Sequence, residues 1–258
     1  KHARRRARDV DELAHRGLNV VLVARRRAVL DEVAAAIADR TGVQTRTLAT
    51  DLALAGASEA IIDATADIDV GFLVYCAGAD PDFAPFLASP LEAAESMIQR
   101  NCTVPVQLCH HFAAPMVQRG RGGIVIFGSG AGFAGGPNMV AYGATKAFDM
   151  VFAEALWTDV HGRGVDVLGV ILGKPDSPAL RRLEASRGQI PSEDHPATDA
   201  VPVGDVIAEA FENLSNGPTL MVGDQLRALG QVMGPMPRND AVRLIAQATA
   251  AAMDAGPR

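Results

Sequence analysis

Two side chains in the run Ala141-Tyr-Gly-Ala-Thr-Lys146 could do chemistry together, a phenol and an ammonium four residues apart, which share one face if the run is helical. The cation favours the phenolate, which makes Tyr142 a proton donor suited to near-neutral pH. With two tyrosines and three lysines in 258 residues, Tyr-x-x-x-Lys arises by chance in roughly one such sequence in fifty. The bland alternative is an exposed helical pair. Ser129, thirteen residues before Tyr142, weighs against it by adding a hydroxyl that can bond a charge-bearing oxygen.

These residues need a scaffold, and the hydrophobic pattern supplies one by alternating short β-branched runs with longer helical stretches. Residues 19–24 read as a buried strand. Leu30, Val33, Ala34 and Ile37 then recur at helical spacing before Thr41-Gly42, and residues 44–50 form another strand. A strand is expected over 68–75, a long helix over 91–118 bent at Pro105, and a strand over 123–127. A helix over 138–160 carries Tyr142 and Lys146; a strand at 165–172, a helix at 203–214 and a short strand at 219–222 follow. The order implies an α/β fold with a mainly parallel sheet covered by helices on both faces. Between 173 and 198 the chain carries Pro175, Pro178, Pro191 and Pro196, so a mobile loop without regular structure is expected over 174–199.

Ligands of an open parallel sheet bind beyond the carboxyl ends of its strands. Arg25-Arg26, Asp51, Ala77-Gly78, Ser129 and Gly173 each follow an expected strand directly, so all should gather on one edge.

The bulk numbers narrow the function. A length of 258 residues with 48% hydrophobic content suits a single domain over 1–258. A net charge of −6 argues against nucleic acid, and Arg4-Arg5-Arg6 reads as a solvated terminus. No apolar run reaches the roughly 18 residues that span a bilayer, and no secretory leader is evident, so a cytoplasmic protein without a membrane partner is expected. Cys76, Cys102 and Cys109 are odd in number and lack metal-ligand spacing, and the adjacent His110 and His111 diverge on a helix. Reduced thiols and no metal site follow.

With Ser129, Tyr142, Lys146 and this element order assembled, the chain resembles the short-chain dehydrogenase/reductase family over about residues 10–225. The resemblance implies a Rossmann-like doubly wound sheet and adds Asn101, in the long helix, as the fourth member of a catalytic tetrad with Ser129, Tyr142 and Lys146. It implies that Lys146 also bonds the nicotinamide ribose, that Asn101 holds a relay water, and that Asp51-Leu52 contacts adenine. Ala77, Gly78, Gly173 and Ser177 complete the implied cofactor residues, and a homodimer or homotetramer through the long helices is implied. NADP is favoured over NAD, because Ala24 stands where an acid usually holds the 2′-hydroxyl and the guanidinium groups of Arg25 and Arg26 suit a 2′-phosphate. Gly130-Ala-Gly132-Phe-Ala-Gly135 fits G-x-G-x-x-G by letter only; it reads as a flexible loop on the substrate side.

The chain departs from the family at several places. The opening strand and its Gly-rich turn are absent, and the last two motif glycines fall at Arg4 and Arg6. Asn-Asn-Ala-Gly becomes Tyr75-Cys76-Ala77-Gly78, and Pro175 stands where a backbone N–H usually meets the carboxamide. The expected function is NADP(H)-dependent interconversion of a hydroxyl and a carbonyl on an apolar small molecule. The alternatives are a non-catalytic remnant acting as an interaction protein and a ketoreductase for carrier-bound 3-oxoacyl chains.

Overall fold

The structure, a computed structural model, describes residues 8–78 and 83–254. Arg4 and Arg6, and the terminal basic run they belong to, lie outside the described residues. In order the elements are α1 Arg8–His15, β1 Val20–Ala24, α2 Arg27–Thr41, β2 Thr45–Ala49, α3 Ala57–Ala64 and β3 Phe72–Tyr75. Then come α4 Leu91–Ile98, a π turn Gln99–Thr103, α5 Val104–Arg119, β4 Gly122–Ser129, α6 Val140–Val160 and β5 Val165–Leu172. α7 Pro178–Ser186, α8 Val203–Glu212, β6 Thr219–Val222, α9 Asp224–Met233 and α10 Arg238–Asp254 complete the chain. The contacts divide it into two compact units, with boundaries after Asp69, Gly173 and Ala208.

In the first unit β1 and β2 pair in parallel from Val20↔Thr45 to Ala24↔Ala49, which brings both carboxyl ends to one edge. Leu30, Val33, Ala34 and Ile37 are the buried residues of α2, as their spacing requires, and they share a core with Ala14, Val20 and Leu22. A side chain of that size contributes about 1.5–3 kcal/mol when fully buried. Among the described residues β1 is the first strand.

The proline-rich segment is more regular than its composition suggests. The expected structureless loop over 174–199 contains α7, because Ser177 caps it by accepting from the Leu180 N–H (3.2 Å) and Pro178 occupies the first turn, where no N–H is needed. Asp176 pairs with Arg181, and Glu184 accepts from Lys174 (2.6 Å) and the Thr198 N–H (2.8 Å).

The second unit holds a four-stranded parallel sheet in the order β3-β4-β5-β6. Helices cover both faces. A Cβ on Gly122 would meet Met116 of α5, whereas one on the next residue, Gly123, would meet the ring of Phe72, which stacks on Phe211 of α8 at 5.8 Å. The strand expected over 68–75 is shorter, because residues 65–68 make the turn that closes α3, with the Ile68 N–H donating to the Thr65 carbonyl. The helix expected over 91–118 is interrupted, and by a different device: Pro105 sits harmlessly in the first turn of α5, and the break is the π turn just before it.

Candidate active site

Each of the four candidate catalytic residues is placed by a local feature of the second unit. Ser129 is the last residue of β4. Its Oγ accepts from the Ala131 N–H at 3.2 Å, which caps the short 3-10 turn Gly130–Gly132 and leaves the hydroxyl proton to donate elsewhere. That turn lies tight on α6. A Cβ on Gly132 would stand 2.6 Å from the Ala147 backbone nitrogen, so the expected flexible glycine loop begins as a packed turn and only Gly135 has open space around it.

Tyr142 lies in the first turn of α6, half-buried, its ring edge-on to Phe83 with centroids 6.1 Å apart. It lines a cavity of about 200 Å³ together with Phe86, Met97, Arg100 and Asn138. A larger open groove of about 540 Å³ runs along a neighbouring face of the same helix, past Gly143, Ala144 and Ala147 to Arg238 of α10. One turn after Tyr142, Lys146 is 2% exposed, and its Nζ is 5.9 Å from the Tyr142 ring centroid. The ammonium donates to the Phe127 carbonyl (3.1 Å) and to Asp149 Oδ2 (2.8 Å).

Asn101 is fully buried and belongs to the π turn. Widening a helix by one residue re-aims the side chain it carries, a common origin of functional positions. Asn101 Nδ2 donates to Thr145 Oγ1 (2.9 Å), Thr145 donates to the Tyr142 carbonyl (2.9 Å), and Arg100 Nε donates to Asn101 Oδ1 (3.1 Å). Gly78 joins the group from the end of β3. Its φ is +128°, and a Cβ there would come within 2.9 Å of Asn101 Oδ1 and 3.0 Å of Lys146 Nζ.

Two residues of this cluster were not singled out in the sequence. Tyr75, where the family carries asparagine, donates its buried hydroxyl to the Arg100 carbonyl and so braces the π turn. Burial pushes its phenol well up. Asp149 forms the buried ion pair with Lys146, and burial raises its carboxyl while the ammonium pulls it back down. Its signal was available as Lys-x-x-Asp, an i,i+3 spacing on the same helix. Burial also raises the thiols, Cys109 to about 12 and Cys102 to about 11, which keeps both protonated.

The first unit gathers Arg25, Arg26, Asp51 and Leu52 at the carboxyl ends of β1 and β2. Arg25 Nη1 stands 3.9 Å from Asp51 Oδ2, the guanidinium largely in solvent and the carboxylate partly buried. Asp51 Oδ1 also accepts from the Ala53 N–H at 3.0 Å, so this carboxylate forms a turn as well as meeting a guanidinium. Arg26 occupies the N-cap position of α2 with extended backbone, and Leu52 is half-buried beside Asp51. Ser177 spends its hydroxyl on capping α7, and Ala77 and Gly173 stand at the ends of β3 and β5. No described helix is long and apolar enough to cross a membrane.

The family model for short chain dehydrogenases matches residues 8–188. A 7β-hydroxysteroid dehydrogenase of Clostridium sardiniense is 31% identical over 238 residues, 90% of this chain and 86% of its own. A solved 7β-hydroxysteroid dehydrogenase structure is similar with TM-score 0.82 and 27% identity, covering 92% of this chain and 90% of that one. A short-chain dehydrogenase from Sphingobium yanoikuyae, solved with NADPH, is similar with TM-score 0.73 and 26% identity, covering 90% and 92%. The parallel sheets agree with these likenesses, and the chain belongs to the short-chain dehydrogenase family of oxidoreductases.

Proposed function

We propose that the protein interconverts a hydroxyl and a carbonyl on an apolar molecule of steroid size, with NADP(H) as the partner in hydride transfer. The observation that carries the reading is that Asn101, Thr145 and Tyr142 are joined by hydrogen bonds one helical turn from the buried Lys146, whose ammonium is fixed on the Phe127 carbonyl. The kinship with hydroxysteroid dehydrogenases supports the substrate class.

The residues present fit such a cofactor. Gly78 keeps a side chain out of the space before Asn101 and Lys146, and Arg25 offers an exposed guanidinium at a strand end, where a 2′-phosphate would find a planar donor. Lys146 would hold the ribose, and Arg25 and Arg26 the phosphate. When bound, the nicotinamide supplies the hydride. The chain's own work is with oxygen and protons: Ser129 donates a hydrogen bond to the carbonyl oxygen as charge builds there and keeps its proton, while Tyr142 delivers the one proton to that oxygen. Lys146 favours the phenolate left behind, and Asn101 anchors the relay that restores the proton. In the oxidative direction each transfer reverses.

Replacing Tyr142 with Phe removes the transferable proton and little else. Reduction of a steroidal ketone by NADPH should fall by about 10³-fold, within the range for loss of a general acid, while the melting temperature and the NADPH fluorescence titration stay as in the wild type. Retained turnover would remove Tyr142 from its role. Absence of NADPH binding in the wild type would instead favour the non-catalytic reading. A homo-oligomer assembled through α4 to α6 belongs to this proposal, and a monomeric mass at micromolar concentration would contradict it.

A further inference from the structure

Lys146 and Asp149 sit one turn apart on α6 with side chains 3% and 4% exposed, joined at 2.8 Å. The carboxylate is thus much closer to the ammonium than the centre of the Tyr142 ring is, at 5.9 Å. An ammonium with a carboxylate at bonding distance is a dipole, whose field falls off faster than that of a lone cation. The spacing of Tyr142 and Lys146 alone therefore overstates the charge the phenol meets. We propose that Asp149 is a positioning residue that anchors Lys146 and tempers its charge, and so sets the pH at which Tyr142 gives up its proton. The proposal rests on the reading of Tyr142 and Lys146 as the acid/base pair.

The surroundings leave few other groups to compensate. Tyr75 from β3, Cys102 from the π turn and Cys109 from α5 face this pocket, and burial holds all three in the neutral form at neutral pH. Arg100, also from the π turn, acts on Tyr75 and is directed at Asn101 Oδ1. The Phe127 carbonyl, from β4, and the Asn101 amide contribute only dipoles. Without Asp149 the ammonium would keep the Phe127 carbonyl as acceptor, and its full charge would act on the phenol.

The two tyrosines make the test direct. Tyr75 ionises far into the alkaline range, so tyrosinate absorbance that appears earlier in a titration reports Tyr142. In Asp149→Asn the tyrosinate midpoint should move down by about one pH unit, a tenfold change in the ionisation constant, and the alkaline limb of ketone reduction should move with it. In the double variant Lys146→Met with Asp149→Leu, which exchanges the buried pair for apolar groups and so guards against a single variant that fails to fold, the midpoint should rise by no more than about one unit, because the tempered ammonium leaves only a weak net pull on the phenol. A midpoint that is unmoved or raised in Asp149→Asn, or raised by more than about one unit in the double variant, overturns the proposal. The absorbance readout needs no turnover, so its failure is distinct from a failure of the Tyr142→Phe test.

Discussion

The Lys146–Asp149 and Arg25–Asp51 pairs both set a cation against a carboxylate, yet they are built for opposite purposes. The first is 2.8 Å long and almost wholly out of water; the second spans 3.9 Å, with its side chains 73% and 36% exposed. Around the first, every polar group is tied to a neighbour, and helix, π turn and strand fix the geometry before any ligand arrives. At the second, the guanidinium is held loosely and stays available to a passing phosphate. On the proposed reading, chemistry is placed on rigid, desolvated structure, whereas charge recognition is left to a solvated side chain that salt can weaken.

The largest effect expected from breaking this contrast is at Gly78. A Cβ there would approach Asn101 Oδ1 and Lys146 Nζ at 2.9 and 3.0 Å, and the φ of +128° is strained for any L side chain. Both contacts lie at the ends of catalytic side chains, so the collision displaces the chemistry. Gly78→Ala should lower kcat by about 100-fold, the loss expected when reacting groups are displaced by about 1 Å. Steady-state rates beside the melting curve check this, and a kcat within a fewfold of wild type would mean that the Asn101–Lys146 geometry is more forgiving than its packing implies.

A smaller and different effect is expected at Arg25. On the proposed reading, removing one charge-assisted bond to a phosphate should raise KM for NADPH by about tenfold while leaving kcat and the use of NADH unchanged. Because the guanidinium is exposed, the difference between Arg25→Ala and wild type should shrink as salt is added. Equal losses for NADPH and NADH would show that Arg25 has no part in choosing between them.

How much of this was legible in the sequence follows from how local each feature is. The Tyr142/Lys146 face, the α2 core stripe and the β5 span 165–172 depend on periodicity within a few residues, and all stand where expected. The π turn was hidden, because one extra residue shifts the apolar register by a single position, which is within the ordinary scatter of helical spacing; Pro105, the visible breaker, draws the bend to the wrong place. In the proline-rich segment the capping signal Ser177-Pro178 was present but was outweighed by proline count. Tyr75 acts through a partner on another element, which spacing does not encode, whereas the i,i+3 spacing of Asp149 and Lys146 is visible and only the burial that makes the pair matter is not.

The smallest effect concerns a pair that is exposed yet well formed. Arg46 donates from Nη1 and Nη2 to Asp67 at 2.6 and 2.8 Å, and also from Nη1 to the Ala64 carbonyl at 2.7 Å, which ties the end of α3 to β2. The hydrogen bonds from Arg46 hold the Asp67 carboxyl down at about 2. A depressed carboxyl contributes stability that is complete above its unfolded value of about 4 and is lost as the pH falls toward the folded value. Asp67→Asn should therefore melt about one or two degrees below wild type at pH 7, because exposed pairs stabilise little, and the gap should close between about pH 4 and pH 2. Added salt should narrow it at pH 7 as well, as at Arg25 and in contrast to the buried Lys146–Asp149 pair, whose charges solvent ions do not reach.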